Sequence, residues 1–378
     1  MAVPFLDLTR LTQQLLPLVQ ADWNECLTQG DFVGGPRVTQ LEEALCRALV
    51  VPHAVACASG TDALILALTA AGVVRGSKVA LPNLTFWATY EAVAALGATP
   101  ILIDSDPEDL AMSFDEFAKA FEVHRFDAAI LVHLFGWSSA RLRDFRAFCN
   151  DRNLPLVEDG AQAFGVRAGG ISLFSEAQFA TLSFYPAKVI GGAMDGGAVL
   201  VSDANAASLV RALGNHGRED HFQHRYAGYN SRMSSLQAAY LNRLLPRCDE
   251  VLANRAARAS QYRGRVKALR GVRSYGPPEG VTENGYLAVM AASGRSGNDV
   301  ANALGARGIG AGNVYPRTVD EQPAATTAIR FGSLAHSKAF CRSVFNVPLF
   351  YGMRDEEFEE VLGALSLVLS EDKAATSS

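Results

Sequence analysis

Three short stretches hold side chains that are awkward to bury and useful to a reaction. "TLSFYPAKVIGG", Thr181 to Gly192, carries one ammonium group, Lys188, inside an apolar segment. A charge buried without a partner is unfavourable. Such a lysine either lays its stem along apolar surface with its head in water, or it serves as a reactive amine. "PLVEDGAQAFG", Pro155 to Gly165, puts two carboxylates, Glu158 and Asp159, at the end of an apolar run. Strand alternation sends them to opposite sides, so one can face a crevice while the other serves structure or caps the next segment. Gln162 follows one turn later, within reach of the same crevice. "ASGTDAL", Ala58 to Leu64, turns an apolar run into a helical one through Ser59, Gly60 and Thr61. Free N–H groups at a helix start, a glycine for close approach and hydroxyls suit an anion, phosphate above all. The same pattern also fits an ordinary turn capped by Thr61.

Side chains this far apart in sequence meet only if a scaffold delivers them. The first two-thirds of the chain alternates short apolar runs with helical patterns. The runs are Ala54–Ala58, Lys78–Leu81, Pro100–Ile103, Ala128–Val132, Pro155–Glu158, Phe179–Ser183 and Ala198–Val201. Several are continuous rather than alternating, as strands covered on both faces are. Helical patterns lie between them. Asp62–Gly72 ends on a glycine suited to a C-cap, Ser113–Val123 opens on Ser113 with Glu116 three residues on, and Ser139–Asn153 follows. This order predicts an α/β domain with a mostly parallel sheet, in which ligands sit at the carboxyl ends of strands. The pattern changes near Leu245. Arg247–Leu269 reads as one long charged helix facing the surface, Tyr275–Gly285 as loops, Tyr286–Ala292 as a strand, Gly297–Gly308 as a helix and Arg354–Ser370 as an amphipathic helix. We therefore expect a large domain over residues 1–245 and a smaller α+β domain over 246–378, with a disordered tail from Glu371.

The totals exclude several classes. Of 378 residues, 49% are hydrophobic and 19% charged, which permits a sizeable core and argues against disorder. The net charge of −5 gives no global excess to hold a nucleic acid backbone. Cys26, Cys46, Cys57, Cys149, Cys248 and Cys341 are scattered, without metal-ligand spacing or a disulfide framework, so no metal site is expected and a cytoplasmic setting is. The N-terminus lacks the pattern of a signal peptide, and no apolar run is long enough to cross a bilayer.

A lysine, an acid and an anion cradle, each at a strand end of one α/β domain, match the needs of pyridoxal 5′-phosphate (PLP). That cofactor takes an amine for its Schiff base, an acid opposite its pyridinium nitrogen and a phosphate site. The chain also resembles a known family, the DegT-like sugar aminotransferases, PLP enzymes of the aspartate-aminotransferase fold (fold type I). The resemblance covers nearly the whole chain, through "DFVGGPRVTQLEEAL", "ASGTDALILAL", "LPNLTFWATYEAVAALGATPILIDSDP", "VHLFGWSS", "VEDGAQAFG", "SFYPAKVIGGAMDGGAVL", "NHGR", "GYNSRMSSLQAAYL", "GIGAGNVYP" and "VPLFYGM".

The resemblance implies a three-layer large domain with a seven-stranded, mostly parallel sheet containing one antiparallel strand. It implies Lys188 as the Schiff-base lysine, Asp159 as the partner of the pyridine nitrogen and Gln162 near the ring's phenolic oxygen. Phe86 would stack on the ring, and Gly60, Thr61 and Ser183 would contact the phosphate, with Asp62 adding its backbone N–H. Asn230 would reach the phosphate of the other subunit, which implies a homodimer with shared active sites. Arg232 and Tyr315 fall in blocks bordering the substrate pocket. His216, Arg218, His221, His224 and Arg225 form a basic cluster that meets an anionic substrate group or makes a solvated loop; both readings stand.

The implied reaction is ping-pong transfer of an amino group from L-glutamate to a ketosugar, most simply a nucleotide-linked 3-keto or 4-keto sugar. An unlinked ketosugar or the keto form of an octulosonate is the alternative acceptor. A PLP sugar dehydratase, whose relatives replace the lysine, and a non-catalytic PLP-binding regulator are the rival classes. Two departures from the family pattern, Val314 where many relatives have histidine and "GGAMDGG" around Met194, lie near the expected sugar side.

Overall fold

The computed structural model describes residues 2–220 and 222–375. The strands, in chain order, are β1 (His53–Cys57), β2 (Lys78–Pro82), β3 (Thr99–Ile103), β4 (Ala128–Val132), β5 (Leu156–Asp159), β6 (Arg167–Ala168), β7 (Ile171–Ser172), β8 (Phe179–Ser183), β9 (Gly197–Val201), β10 (Val272–Ser274), β11 (Ala288–Ala292), β12 (Ile329–Arg330) and β13 (Val344–Val347). One sheet of eight runs β1-β9-β8-β5-β4-β2-β3-β12. β9 is antiparallel to both its neighbours and the remaining pairs are parallel. The expected seven strands and single antiparallel member are present. The eighth is a correction: β12, two residues from the C-terminal segment, pairs alongside β3. A strand that short carries no sequence period, so only the long-range pairing defines it.

The apolar runs are apolar for the reason expected. Along β4, Ala128, Ile130 and Val132 enter one core cluster while Ala129 and Leu131 enter another on the opposite face. Helices Gly60–Ala70, Trp87–Ala95 and Ala204–Gly214 cover the first face; Gly35–Leu49, Phe114–His124, Leu142–Asn150 and Ser235–Leu244 cover the second. Burial on both faces removes the need for a polar side, which is the three-layer arrangement.

Three local expectations change. The cap of helix Gly60–Ala70 is Ser59, whose Oγ accepts from Asp62 N, rather than Thr61. Ser113 caps Phe114–His124 by accepting from Glu116 N, but its own N–H goes to Asp104 O instead of Glu116, so the box is half made. Helix Cys248–Val266 is not wholly surface-facing: Val251, Arg255, Ala259, Tyr262 and Val266 form a buried stripe at helical spacing.

β10, β11 and β13 form a second, antiparallel sheet in the order β10-β11-β13. Helices Cys248–Val266, Gly297–Gly305 and Asp355–Ala375 share its core. That core also takes Val3, whose N–H donates to Gly308 O, so the first residues of the chain pack with the last third. The helix expected to stop at Ser370 continues to Ala375, and residues 376–378 of the proposed disordered tail lie outside the described residues. The six cysteines are free. Among the described residues there is no group of side chains suited to a metal, and no helix is long and apolar enough to cross a membrane.

The two ends of the chain are joined by charge. Arg10 donates from Nη1 and Nη2 to the Glu357 carboxylate at 2.8 and 2.5 Å, and Arg354 N adds a bond of 2.9 Å. The Arg10 hydrogen bonds hold the Glu357 carboxyl down to about 2, against an ordinary value of 4.5. A depressed carboxyl adds stability that is complete above the ordinary value and is lost as pH falls toward the folded one. Glu357→Gln is therefore expected to lower the denaturant midpoint at neutral pH, and the deficit should shrink between about pH 4.5 and pH 2. Urea unfolding of both proteins at several pH values checks this; a deficit independent of pH would contradict it.

Candidate active site

At the carboxyl ends of β1, β5 and β8 the sheet opens into a cavity of about 280 Å³. Gly60, Thr61, Phe86, Asp159, Gln162, Ser183, Lys188 and Tyr315, all singled out from sequence, line it together with Ser59, Thr85, Thr89, Asp195, Tyr286 and Val314. The volume is near the lower end for small-molecule sites. A second cavity, about 300 Å³, lies across the Lys188 loop against Leu11, Leu16, Val19 and Trp23 of the helix Thr9–Gln29, and it shares only Lys188 with this set.

β8 ends at Ser183, and a turn in which Lys188 N donates to Tyr185 O at 2.8 Å brings Lys188 into the cavity half-buried. Its Nζ lies 5.2 Å from the centroid of the Tyr286 ring, a favourable seat for an ammonium. Tyr286 is held from behind. Arg255, itself 4% exposed, donates to Gly285 O at 3.0 Å and Tyr286 O at 2.9 Å. Asn284 donates to Gln162 O and Phe164 O at 2.8 and 3.0 Å, fastening this C-terminal segment to the loop after β5. Burial lowers Arg255 to about 10, which still leaves it charged at neutral pH.

The two carboxylates of β5 part as expected. Glu158, 1% exposed, accepts from Arg146 Nε at 2.8 Å and meets His133 Nε2 at 2.9 Å, away from the cavity. Burial alone would raise its carboxyl, but the His133 and Arg146 contacts outweigh it and hold the group below the ordinary value. Glu158 is thus an anion committed to structure. Asp159, 5% exposed, faces the cavity. It accepts from Ala161 N at 3.1 Å and from Thr89 Oγ1 at 3.0 Å.

Gln162 has both ends of its amide engaged: Oε1 accepts from Phe135 N at 2.7 Å, and Nε2 donates to Tyr315 Oη at 2.6 Å. Burial first, and then the neighbouring Tyr286, push the Tyr315 hydroxyl well above the usual phenol value. It therefore stays protonated, with its lone pair occupied by Gln162 and its proton free to be donated into the cavity.

Opposite, Gly60 and Thr61 begin their helix, where the first N–H groups have no intrahelical acceptor. Gly60 is needed for space, since a Cβ there would lie 2.7 Å from Ser183 Cβ. Asp62 is a correction: its N–H is already taken by Ser59 Oγ at 3.0 Å, and its carboxylate accepts from Ser231 Oγ at 2.7 Å. It braces the turn instead of presenting an N–H. Phe86 is 61% exposed at the cavity wall, so it is not core.

Besides Asp62, four expected site residues stay outside this cavity. Asn230 and Arg232 are exposed, and Arg232 Nη2 donates to Asn230 Oδ1 at 2.9 Å. His216 N donates to Tyr229 O at 2.7 Å, and Arg218 is exposed beside Glu219 and Asp220. Of the basic cluster, Arg225 is paired with Glu219 at 2.8 Å, His224 Nδ1 meets His216 O at 2.8 Å, and His221 lies outside the described residues.

The unusual "GGAMDGG" stretch has a physical reading. Gln237, 1% exposed, accepts from Ala193 N and Met194 N at 3.0 and 3.1 Å and donates to Met194 O at 2.6 Å. A Cβ on Gly192 would fall 2.0 Å from Gln237 Nε2, so glycine lets the loop close on that amide. The fold uses the Met194 backbone and leaves its side chain 38% exposed, while Asp195 lines the cavity. Thr85, Thr89, Tyr286 and Asp195 were missed from sequence. None of the four had a sequence signal of its own; Thr89 and Tyr286 are placed against partners distant in the chain, Asp159 and Lys188.

An amine, a buried acid, a helix N-terminus with serine hydroxyls and an exposed aromatic wall converge on one cavity. They suit a phosphorylated, protonated aromatic aldehyde, and the glycine at position 60 lets the helix start pack directly against Ser183. Fold and site define a PLP-dependent transferase of fold type I. Comparison with known proteins agrees. Residues 17–366 match the model of the DegT/DnrJ/EryC1/StrS aminotransferase family, and the chain belongs to that family. The Streptomyces venezuelae dTDP-3-amino-3,4,6-trideoxy-alpha-D-glucose transaminase is 33% identical, covering 92% of this chain and 91% of its own. A Geobacillus stearothermophilus protein named "Pleiotropic regulatory protein" is 28% identical over 96% of this chain and 97% of its own. The crystal structure of S. venezuelae DesV "in complex with ketimine intermediate" superposes with a TM-score of 0.93 at 31% identity, covering 98% of this chain and 99% of that one.

Proposed function

We propose that this protein moves the amino group of L-glutamate to the carbonyl carbon of a nucleotide-linked keto sugar, with a 3-keto sugar favoured by the S. venezuelae relative. The observation that carries the reading is the convergence of Lys188 and Asp159 on the cavity that also holds the Gly60–Thr61 helix start. The same convergence favours catalysis over a purely regulatory role and over a dehydratase, because the lysine is in place.

Bound PLP supplies the electron sink that lets an amino group leave one carbon and join another. The residues of the chain do the rest. Lys188 Nζ would hold the cofactor covalently at rest. Freed from that bond, Nζ would accept a proton from the substrate carbon and return it on the far side of the transferring nitrogen, as base and then acid. Asp159 holds positive charge on the ring nitrogen through a charge-assisted hydrogen bond. Gly60, Thr61 and Ser183 would receive the phosphate, Phe86 would cover the ring, and Tyr315 and Gln162 present donors at the cavity's inner wall. Donor and acceptor use one site in turn, which gives ping-pong kinetics.

We place the working enzyme in the cytoplasm as a homodimer. Exposed Asn230 and Arg232, outside their own chain's cavity, would reach the neighbour's, where Phe86 and Tyr185 stand 61% and 53% exposed. A monomer by light scattering in the active preparation would oppose that arrangement.

Gly60→Ala is expected to weaken PLP binding about tenfold, by overpacking the cradle against Ser183; a fluorescence titration with PLP checks it. The reaction itself is tested by incubating the PLP form with L-glutamate and measuring 2-oxoglutarate, then adding nucleotide-linked and unlinked ketosugars. Stoichiometric 2-oxoglutarate with turnover only on a linked sugar is expected. No release of 2-oxoglutarate would reject the proposed donor, and turnover on unlinked ketosugars alone would favour the alternative acceptor.

A further inference from the structure

Asp159 is held from two sides. Ala161 N reaches Oδ1 at 3.1 Å, and Thr89 Oγ1 reaches Oδ2 at 3.0 Å. Behind Thr89, Thr85 Oγ1 stands 2.8 Å away. A hydroxyl has one proton, and an ionised carboxylate only accepts. The Thr89 proton therefore points to Asp159, and the Thr89 oxygen takes the Thr85 proton. The chain Thr85 to Thr89 to Asp159 runs one way. Thr85 and Thr89 are 5% and 1% exposed, so bulk water does not replace these bonds. Thr89 N also donates to Phe86 O at 3.2 Å, so the same short segment sets the exposed aromatic wall.

We propose that Thr89, backed by Thr85, is a positioning residue that fixes the Asp159 carboxylate with its remaining lone pairs turned to the protonated ring nitrogen of PLP. One side-chain bond settles the rotation of the carboxylate about its last torsion, which the Ala161 contact alone leaves loose. Without it the acid stays in the cavity but spends part of its time turned from the ring. This rests on the reading of PLP in the cavity.

The test is equilibrium binding of PLP to the full-length apo protein, with the absorption spectrum of the bound cofactor recorded across neutral pH and unfolding followed separately. Thr89→Val keeps the shape and removes the hydroxyl; Thr89→Ser keeps the hydroxyl. Thr89→Val is expected to weaken PLP binding about tenfold, the size of one hydrogen bond to a charged group, and to move the pH dependence of the spectrum. Thr89→Ser should bind nearly as wild type does. In an Asp159→Asn background, Thr89→Val should change little, because the acid it serves is gone.

Equal weakening in both backgrounds, a serine variant as weak as the valine one, or an unchanged valine variant would each overturn the proposal. Should Thr89→Val fail to fold, Thr85→Val interrupts the same chain one link back, and the same comparison across the two backgrounds decides. If wild type binds PLP and the valine variant binds as well, this inference alone falls. If wild type takes up no PLP, the cofactor reading falls with it.

Discussion

Lys188→Ala is expected to retain PLP binding and to lose amino transfer by about 10³-fold or more, since general acid–base catalysis and the covalent anchor go together. The phosphate cradle, Asp159 and Phe86 do not depend on the lysine side chain. The variant should therefore still take up the cofactor, though more weakly and without the absorption band of a bonded amine. The backbone turn that carries Lys188 is closed by its own N–H to Tyr185 O, so alanine preserves it. Turnover with glutamate and a ketosugar, measured beside PLP uptake, separates the two effects. Full activity in this variant would sink the mechanism, and loss of PLP uptake with loss of fold would show that the turn needs more than its backbone.

Asp159→Asn is expected to lower the rate on the order of 10²-fold or more with little change in fold, the size of losing one aligned electrostatic contact in a dry site. The substitution keeps the shape and one acceptor. An amide cannot stabilise positive charge on the ring nitrogen as a carboxylate does. The neighbouring Glu158 does not substitute, because it lies on the other side of β5, engaged by His133 and Arg146. The affected step should be proton transfer at the substrate carbon. The rate of the glutamate half-reaction, followed by the cofactor spectrum, should therefore fall more than PLP affinity does. An unchanged half-reaction rate would remove Asp159 from its assigned place.

Much of the architecture was legible because burial on both faces leaves a plain mark. β4 reads as five apolar residues in a row since its alternate side chains feed two cores. The strand ends were legible for the same reason, and with them Lys188, Asp159 and the Ser59–Thr61 turn. Other features depend on partners distant in sequence. β12 has two residues and exists through its pairing with β3. Thr89 reads as an ordinary helical residue until a carboxylate 70 positions away is placed against it. Tyr286 lies beside what reads as loop, and the groups that aim it at Lys188 come from Arg255 and Asn284. The Asp62 expectation failed on a local competition: Ser59 captured the N–H first. Met194, set apart by comparison with the family pattern, turned out to matter through its backbone and the Gln237 amide.

The central claim is that Lys188 is the amine that bonds PLP. Borohydride reduction of the PLP-loaded protein, followed by peptide mass mapping, tests it most directly. A reduced phosphopyridoxyl group on Lys188 is the predicted result, absent from the Lys188→Ala variant. The same group on Lys78, Lys119, Lys267, Lys338 or Lys373 in place of Lys188, or on no lysine, would contradict it.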